Sequence, residues 1–297
     1  MATAFDYLLT ATISHLEDQK ARGVKHVSVD PQLLSQLGRP ARKSASPAPA
    51  GTRPSLSAAL QETSAPTAPV AEAAPVVSDL IVDPSVELSP ERKEAEMARI
   101  RERAMSCVKC PNLASSRSNV VFGVGSIHAD IMFVGEAPGM EEDQQGEPFV
   151  GAAGQLLTKI IGAMDLDRDK VYIANVVKCR PDTLGQRSGN RKPKPEEMNT
   201  CKPYLLAQIS VIRPKVIVAL GATAVEGLLG RPMGIMKLRG NWQEFNGIPM
   251  MPTYHPAYLL RNESISEKRK VWEDMLAVME KLGMPISEKQ RGFFLGK

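Results

Sequence analysis

The chain has 297 residues, of which 43% are hydrophobic and 24% charged, enough for one or two domains with a sizeable core. No apolar run approaches the ~18 residues that a membrane-spanning helix needs. Net charge is +4, unevenly spread: residues 1–92 carry 8 Lys and Arg against 10 Asp and Glu, while residues 93–297 carry 29 against 23. The positive field therefore lies on the part that reads as folded and favours an anionic partner.

The opening stretch MATAFDYLLTATISHLEDQKARG has no basic leader followed by a compact apolar block, so the expected compartment is the cytosol. Phe5, Leu8, Leu9, Ile13 and Leu16 recur at three- and four-residue steps and predict an amphipathic helix over 4–22. One such helix cannot cover its own apolar stripe. Residues 1–25 are therefore expected to form an isolated helix that docks on the main domain or meets a protein partner. Residues 26–92 read as a disordered linker, because SASPAPAGTRPS and SAPTAPVAEAAPVVSD are rich in Ala, Pro and Ser with almost no aromatic residues. A charged helix follows, with Ser89 as N-cap, Pro90 in its first turn and Glu91 near the positive end of its dipole.

Beyond Cys107 the pattern becomes regular. IMFV at 131–134, VYIANVV at 171–177, VIVAL at 216–220 and IPMMPTY at 248–254 read as four strands. Helices are expected at about 153–165, from Pro195 onward, after Gly221, and at about 265–282. Strands alternating with helices predict an α/β fold with a central four-stranded parallel sheet covered on both faces. The domain is expected to span 93–283, leaving 284–297 as a tail. In such sheets ligands bind beyond the carboxyl ends of the strands. Here those ends carry Glu136, Asn175, Gly221 and His255, which should converge on one crevice.

The segment GEAPGMEEDQQGEPFVGAAGQLL after the first strand combines glycines with four acidic residues between Glu136 and Asp143, then Phe149 beside Val150-Gly151. No GK[ST] and no GxGxxG is present, which counts against a nucleotide cofactor. His255, fixed by Pro256, either donates a hydrogen bond to developing negative charge or is a strand-end histidine bonded to backbone. Asn175 offers a donor and an acceptor, suited to a base edge or to a turn cap. The four cysteines, Cys107, Cys110, Cys179 and Cys201, are spaced C-x2-C, then 68 residues, then C-x21-C. With no nearby histidine they fit tetrahedral zinc or an iron–sulfur cubane, and the spacing does not choose between them.

Taken together, GEAPGMEEDQQGEPFVGAAGQLL, NVVKCRPD, the four cysteines and HPAYLLR resemble the family 4 uracil-DNA glycosylases from about Cys107 to Gly283. The resemblance implies a three-layer α/β/α fold and a [4Fe–4S] cluster, mainly structural, with the four cysteines as ligands. It also implies removal of uracil from single- or double-stranded DNA, leaving an abasic site. Under that reading Phe149 stacks on the flipped base and Asn175 pairs with its O4 and N3–H. His255 bonds O2 and stabilises the departing anion. Glu136 and Glu142 are the candidates to orient or deprotonate water, and Asn190 is a further candidate to hold it. Backbone around Ala137 and Gly139 lines the pocket. Leu259 and Leu260, or Tyr258, fill the gap in the duplex, and Arg261 contacts DNA. A monomer is expected. The stretch between Cys179 and Cys201 is longer than in the family, with TLGQRSG as the insertion, flanked by Arg187, Arg191, Lys192 and Lys194. The rival reading is a non-catalytic binder of uracil-containing or single-stranded DNA.

Overall fold

The structure, a computed structural model, describes residues 77–183 and 186–295. The expected helix over 1–25 and most of the expected linker lie outside these residues. In chain order the elements are a 3-10 turn, Val77–Leu80, then α1 (Pro90–Met105), α2 (Pro111–Ser116), β1 (Val124–Gly125), β2 (Ile131–Gly135), α3 (Met140–Gln145), α4 (Ala152–Ala163) and β3 (Tyr172–Asn175). They continue with β4 (Asp182–Thr183), β5 (Gln186–Asn190), α5 (Pro195–Ile212), β6 (Val216–Leu220), α6 (Ala222–Leu229), α7 (Ile235–Leu238), β7 (Gln243–Phe245), β8 (Ile248–Thr253), α8 (Pro256–Arg261), α9 (Ile265–Lys281) and α10 (Glu288–Arg291).

β2 and β6 are buried along their whole length, which is why they read as unbroken apolar runs rather than alternating ones. Their side chains still divide by the two-residue period of a strand. Met132, Val134, Ile217 and Ala219 face one core, shared with Ile100 of α1, Leu205 of α5 and Val225 of α6. Ile131, Phe133, Val216 and Val218 face the other, shared with Leu157 and Ile161 of α4 and Met275 of α9. Helices thus cover both faces of the sheet, giving three layers.

The sheet runs β1-β3-β2-β6-β8-β7. The expected four strands, β3-β2-β6-β8, pair in parallel. Two short antiparallel strands, β1 and β7, extend it to six. From β2 the chain moves out to β3, then returns past β2 to β6, so the direction of winding reverses between β2 and β6, where an open α/β sheet presents its binding crevice. The insertion between Cys179 and Cys201 folds as a separate β4–β5 hairpin, with Asp182 opposite Asn190 and Thr183 opposite Gln186.

Two expected boundaries move. Leu80 is fully buried in the core beside α1, so the folded unit includes residues from Val77, well before 93. At the other end Gln290 is buried, donating to Ala163 O at 3.0 Å, and the Phe293 ring packs on Trp272 with centroids 5.3 Å apart. The segment 284–295 belongs to the domain and is not a tail. Among the described residues no helix is long and apolar enough to cross a membrane.

The end of β8 is braced from behind. Asp274 of α9 accepts from the Thr253 hydroxyl at 2.6 Å and from both Nε and Nη2 of Arg239, and Arg239 Nη2 also donates to Lys270 O at 2.7 Å. Asp274 is 1% exposed and Arg239 16%. Removing one partner of such a pair leaves a charge without compensation. Asp274→Ala is therefore expected to destabilise the fold by about 3–5 kcal/mol, read as a lower urea midpoint at unchanged slope. Asp274→Asn, which keeps an acceptor for Thr253, is expected to lose less.

Candidate functional site

A cleft of about 380 Å³ opens at the carboxyl ends of β2, β3 and β8. Its floor depends on Gly135, the last residue of β2. A Cβ at that position would stand 2.3 Å from Asn175 Oδ1 and 2.6 Å from Phe149 Cζ, so only hydrogen fits. Gly135 and Asn175 are register partners, which sets the asparagine beside that gap. Asn175 is 2% exposed. Its Oδ1 is, among the described residues, the buried side-chain oxygen with no hydrogen-bond partner. A buried acceptor left unmatched costs about 1–3 kcal/mol, and this one lines the cleft.

Phe149 and His255 also line the cleft. Their rings stack with centroids 5.6 Å apart and planes 30° from parallel. Phe149 sits at φ +56°, a left-handed conformation that costs a bulky residue about 1–3 kcal/mol and that clusters at functional sites. His255 follows β8 and caps α8, its Nδ1 accepting from Ala257 N–H at 3.1 Å. The backbone-bonded reading of this histidine is therefore met at Nδ1, and the neutral ring carries its proton on Nε2. Burial, reinforced by Arg261 and opposed by Glu142, pushes the His255 pKa down to about 4, so the ring is a neutral donor near neutral pH.

The two carboxylates have different surroundings. Glu142 Oε2 accepts from Gly139 N–H at 3.1 Å, and Oε1 accepts from Val150 N–H at 3.0 Å and Gly151 N–H at 2.9 Å. It is a backbone clamp closing the first turn of α3 onto the loop after Phe149. Both oxygens of this expected water-orienting candidate are thus engaged by backbone, although it also lines the cleft. Glu136 is half-buried at the mouth of the cleft. Burial raises its pKa, opposed by the Thr223 hydroxyl and by Lys192. Asn190, at the end of β5, accepts from Arg180 Nε at 2.8 Å and also lines the cleft, as do Ala137 and Gly139.

Of the α8 residues, Arg261 reaches the cleft. Leu259 is 4% exposed and packed on Tyr254 and Val271. It does not point out to fill a gap in DNA, which corrects that expectation. Leu260, one residue on, is 43% exposed. Tyr258 is half-buried, its ring 4.7 Å from that of Tyr254 and its hydroxyl 3.2 Å from Glu267. Three groups were not foreseen from sequence. Thr223 sits beside Glu136. Glu197 holds Arg191 by two bonds of 2.8 and 2.6 Å. Arg168 grips the loop carrying Phe149. The spacing of Gly139 and Glu142, the first and fourth places of a helix-capping box, was a signal for the clamp; nothing in the sequence marks Arg168.

The four cysteines are free thiols from three segments: the α1–α2 turn, the end of β3 and α5. They are electrostatic neighbours. Burial, then Cys179 and Cys107, raise Cys110, and burial, opposed by Lys178 and helped by the same two thiols, pushes Cys201 up to about 12. Two N–H groups already point at sulfur, Lys178 N–H at Cys201 Sγ (3.2 Å) and Arg117 Nη1 at Cys179 Sγ (3.1 Å). The Lys178 ammonium is itself buried, donating to Gln208 Oε1 at 2.6 Å. Among the described residues no group of three or more His, Cys, Asp or Glu side chains is arranged to hold a metal ion.

The cleft thus sets an unmatched amide oxygen and a neutral imidazole together at the carboxyl ends of the strands of a three-layer α/β fold. The sequence model of the uracil DNA glycosylase superfamily matches residues 122–276. Type-4 uracil-DNA glycosylase of Thermotoga maritima is 48% identical over 185 residues, covering 62% of this chain and 93% of that protein. The type-4 enzyme of Sulfurisphaera tokodaii is 42% identical over 210 residues, covering 67% and 90%. That of Archaeoglobus fulgidus is 42% identical over 182 residues, covering 57% and 88%. The chain belongs to the type-4 uracil-DNA glycosylases of that superfamily.

The depressed His255 pKa has a consequence for stability. Above about pH 6.5 the folded and unfolded chains both hold a neutral ring. Between about 6.5 and 4 the unfolded chain takes up a proton that the folded one does not, so stability falls as pH is lowered through this window. The His255 ring C–H signal is expected to show no titration step near pH 6.5. The urea midpoint should fall more steeply below that pH in the wild type than in His255→Asn.

Proposed function

We propose that the cleft receives a uracil extruded from DNA and that the protein hydrolyses its N-glycosidic bond, leaving an abasic site, as an enzyme of DNA repair. The observation that carries this reading is the unmatched, buried Asn175 Oδ1 beside the Phe149 and His255 rings. A uracil laid on Phe149 offers N3–H to that oxygen and O4 to the amide Nδ2–H. Cytosine presents the opposite donor and acceptor, leaving polar groups unpaired on both sides, a mismatch that discriminates strongly.

Basic residues at the rim, Arg261 among them, hold phosphates and set register. The exposed Leu260 enters the stack in place of the extruded nucleotide, at a cost of a few kcal/mol for unstacking. His255 Nε2–H, neutral and preorganised by its backbone bond, donates to uracil O2 as negative charge collects on the departing base. The sugar becomes oxocarbenium-like, and Glu136, with Asn190 on the facing hairpin, orients the water that attacks it. Glu142 acts through the backbone by holding the Phe149 loop.

The chemistry of the donor set, four thiols, suits a [4Fe–4S] cluster, with Cys107, Cys110, Cys179 and Cys201 as the ligands and the Lys178 and Arg117 N–H groups as donors to sulfur. Such a cluster, when bound, would tie the α1–α2 turn, the end of β3 and α5 together as a structural cross-link. It has no place in the chemical steps.

Uracil-containing oligonucleotides incubated with the protein and then treated with alkali are expected to be cut at uracil. His255→Ala should lower the rate by about 10²–10³-fold, and Asn175→Ala should lose discrimination against cytosine along with activity. Retention of the oligonucleotide without scission would make the protein a binder only. Protein purified without oxygen is expected to be brown, with iron and acid-labile sulfide at about four each per chain; zinc alone would refute the cluster.

A further inference from the structure

We propose that Arg168, which lies outside the cleft, is a positioning residue that holds the Phe149 ring in the plane where it meets the base. The proposal rests on the reading of Phe149 as the base-stacking face.

Arg168 lies in the turn between α4 and β3. Its Nη2 donates to Pro148 O at 2.8 Å and its Nη1 to Phe149 O at 3.1 Å, so the two arms of one planar guanidinium take two successive carbonyls. Nη1 also reaches Thr158 Oγ1 at 3.3 Å, a hydroxyl anchored on Gly154 O at 3.0 Å within α4. From the other side Glu142 takes the next two amides, Val150 N–H and Gly151 N–H. Three consecutive peptide groups around Phe149 (148–149, 149–150 and 150–151) are thus held by one cation and one anion, the middle one by both.

The grip coincides with strain. Phe149 stands at φ +56°, a conformation that bulky residues leave unless the surroundings dictate it. The surroundings give it no slack: a Cβ at Gly154 would fall 1.8 Å from Phe149 O, and one at Gly135 2.6 Å from its Cζ. Backbone and ring are each packed against a glycine, and Arg168 supplies the attraction that keeps the carbonyl there. Since Arg168 does not line the cleft, its effect on the base passes through Phe149. Lysine, a point charge on a flexible stem in place of a rigid fork, does not fix the two carbonyls in one plane.

A double-mutant cycle tests this, using kcat/KM on single-stranded uracil oligonucleotides and the inhibition constant of free uracil, which reads base binding without chemistry. Arg168→Met is expected to weaken free-uracil inhibition and lower kcat/KM by about tenfold, within the range that base–aromatic stacking commands. Arg168→Lys should move both in the same direction while keeping the wild-type urea midpoint, and it carries the test where the Met variant does not fold. Combined with Phe149→Leu, either substitution should add nothing to the loss from Phe149→Leu alone. Full uracil affinity in a folded Arg168→Lys, or losses that multiply in the double variant, would overturn the proposal while leaving the stacking role in place. Full activity in Phe149→Leu would overturn the stacking role and the proposal with it.

Discussion

Asn175 Oδ1 and the Phe149 ring meet at the bottom of the cleft because position 135 carries hydrogen where any other residue carries carbon; the added atom would lie 2.3 Å from one and 2.6 Å from the other. The rest of the site follows from that contact. It lets β3 present an amide without bonding it, and it lets the loop after α3 bring an aromatic ring against the strand end. The loop must then adopt a left-handed turn at Phe149, and Glu142 and Arg168 hold the peptide groups on either side of it. A helix cap, a strained residue and a distant guanidinium thus become parts of one arrangement.

Most of the sheet could be read directly from the chain, because β2 and β6 are apolar on both faces and bounded by turn residues. β1 and β7 were not seen: at two and three residues they are too short to show a period. Leu80 was lost in a composition that reads as linker, since one core residue among Pro, Ser and Asp leaves no periodic trace. The strand-end residues Asn175 and His255 were legible because topology alone sends carboxyl ends to one crevice. The distinction between Glu136 and Glu142 was not, since a carboxylate that caps backbone and one that faces water are the same letter. Leu259 and Leu260 differ by about 100° around α8, and their burial depends on a helix rotation that the sequence does not state.

The cleft and the thiol set are linked through short stretches of chain. Asp143, next to Glu142, accepts Ser118 N–H through both carboxylate oxygens at 3.0 and 2.9 Å. Arg117, immediately before, donates to Cys179 Sγ. Three consecutive links therefore run from the Phe149 loop through α3 to a cysteine. Order among the thiols supports order at the cleft without any residue touching both, and the buried Lys178 ammonium acts by its charge on another of them, Cys201, whose pKa it lowers.

The β4–β5 hairpin adds a different property. Asp182 and Asn190 are partners at its base, and Arg180 bonds Asn190 across the same junction. Whatever lies between them is bracketed, so the distance from Cys179 to the start of α5 does not depend on the length of the tip. Lengthening such a tip carries a small entropic cost, about 0.6 kcal/mol per doubling. Lineages can therefore remodel this rim by insertion or deletion, altering reach toward a substrate strand while the cysteines and the base pocket keep their places.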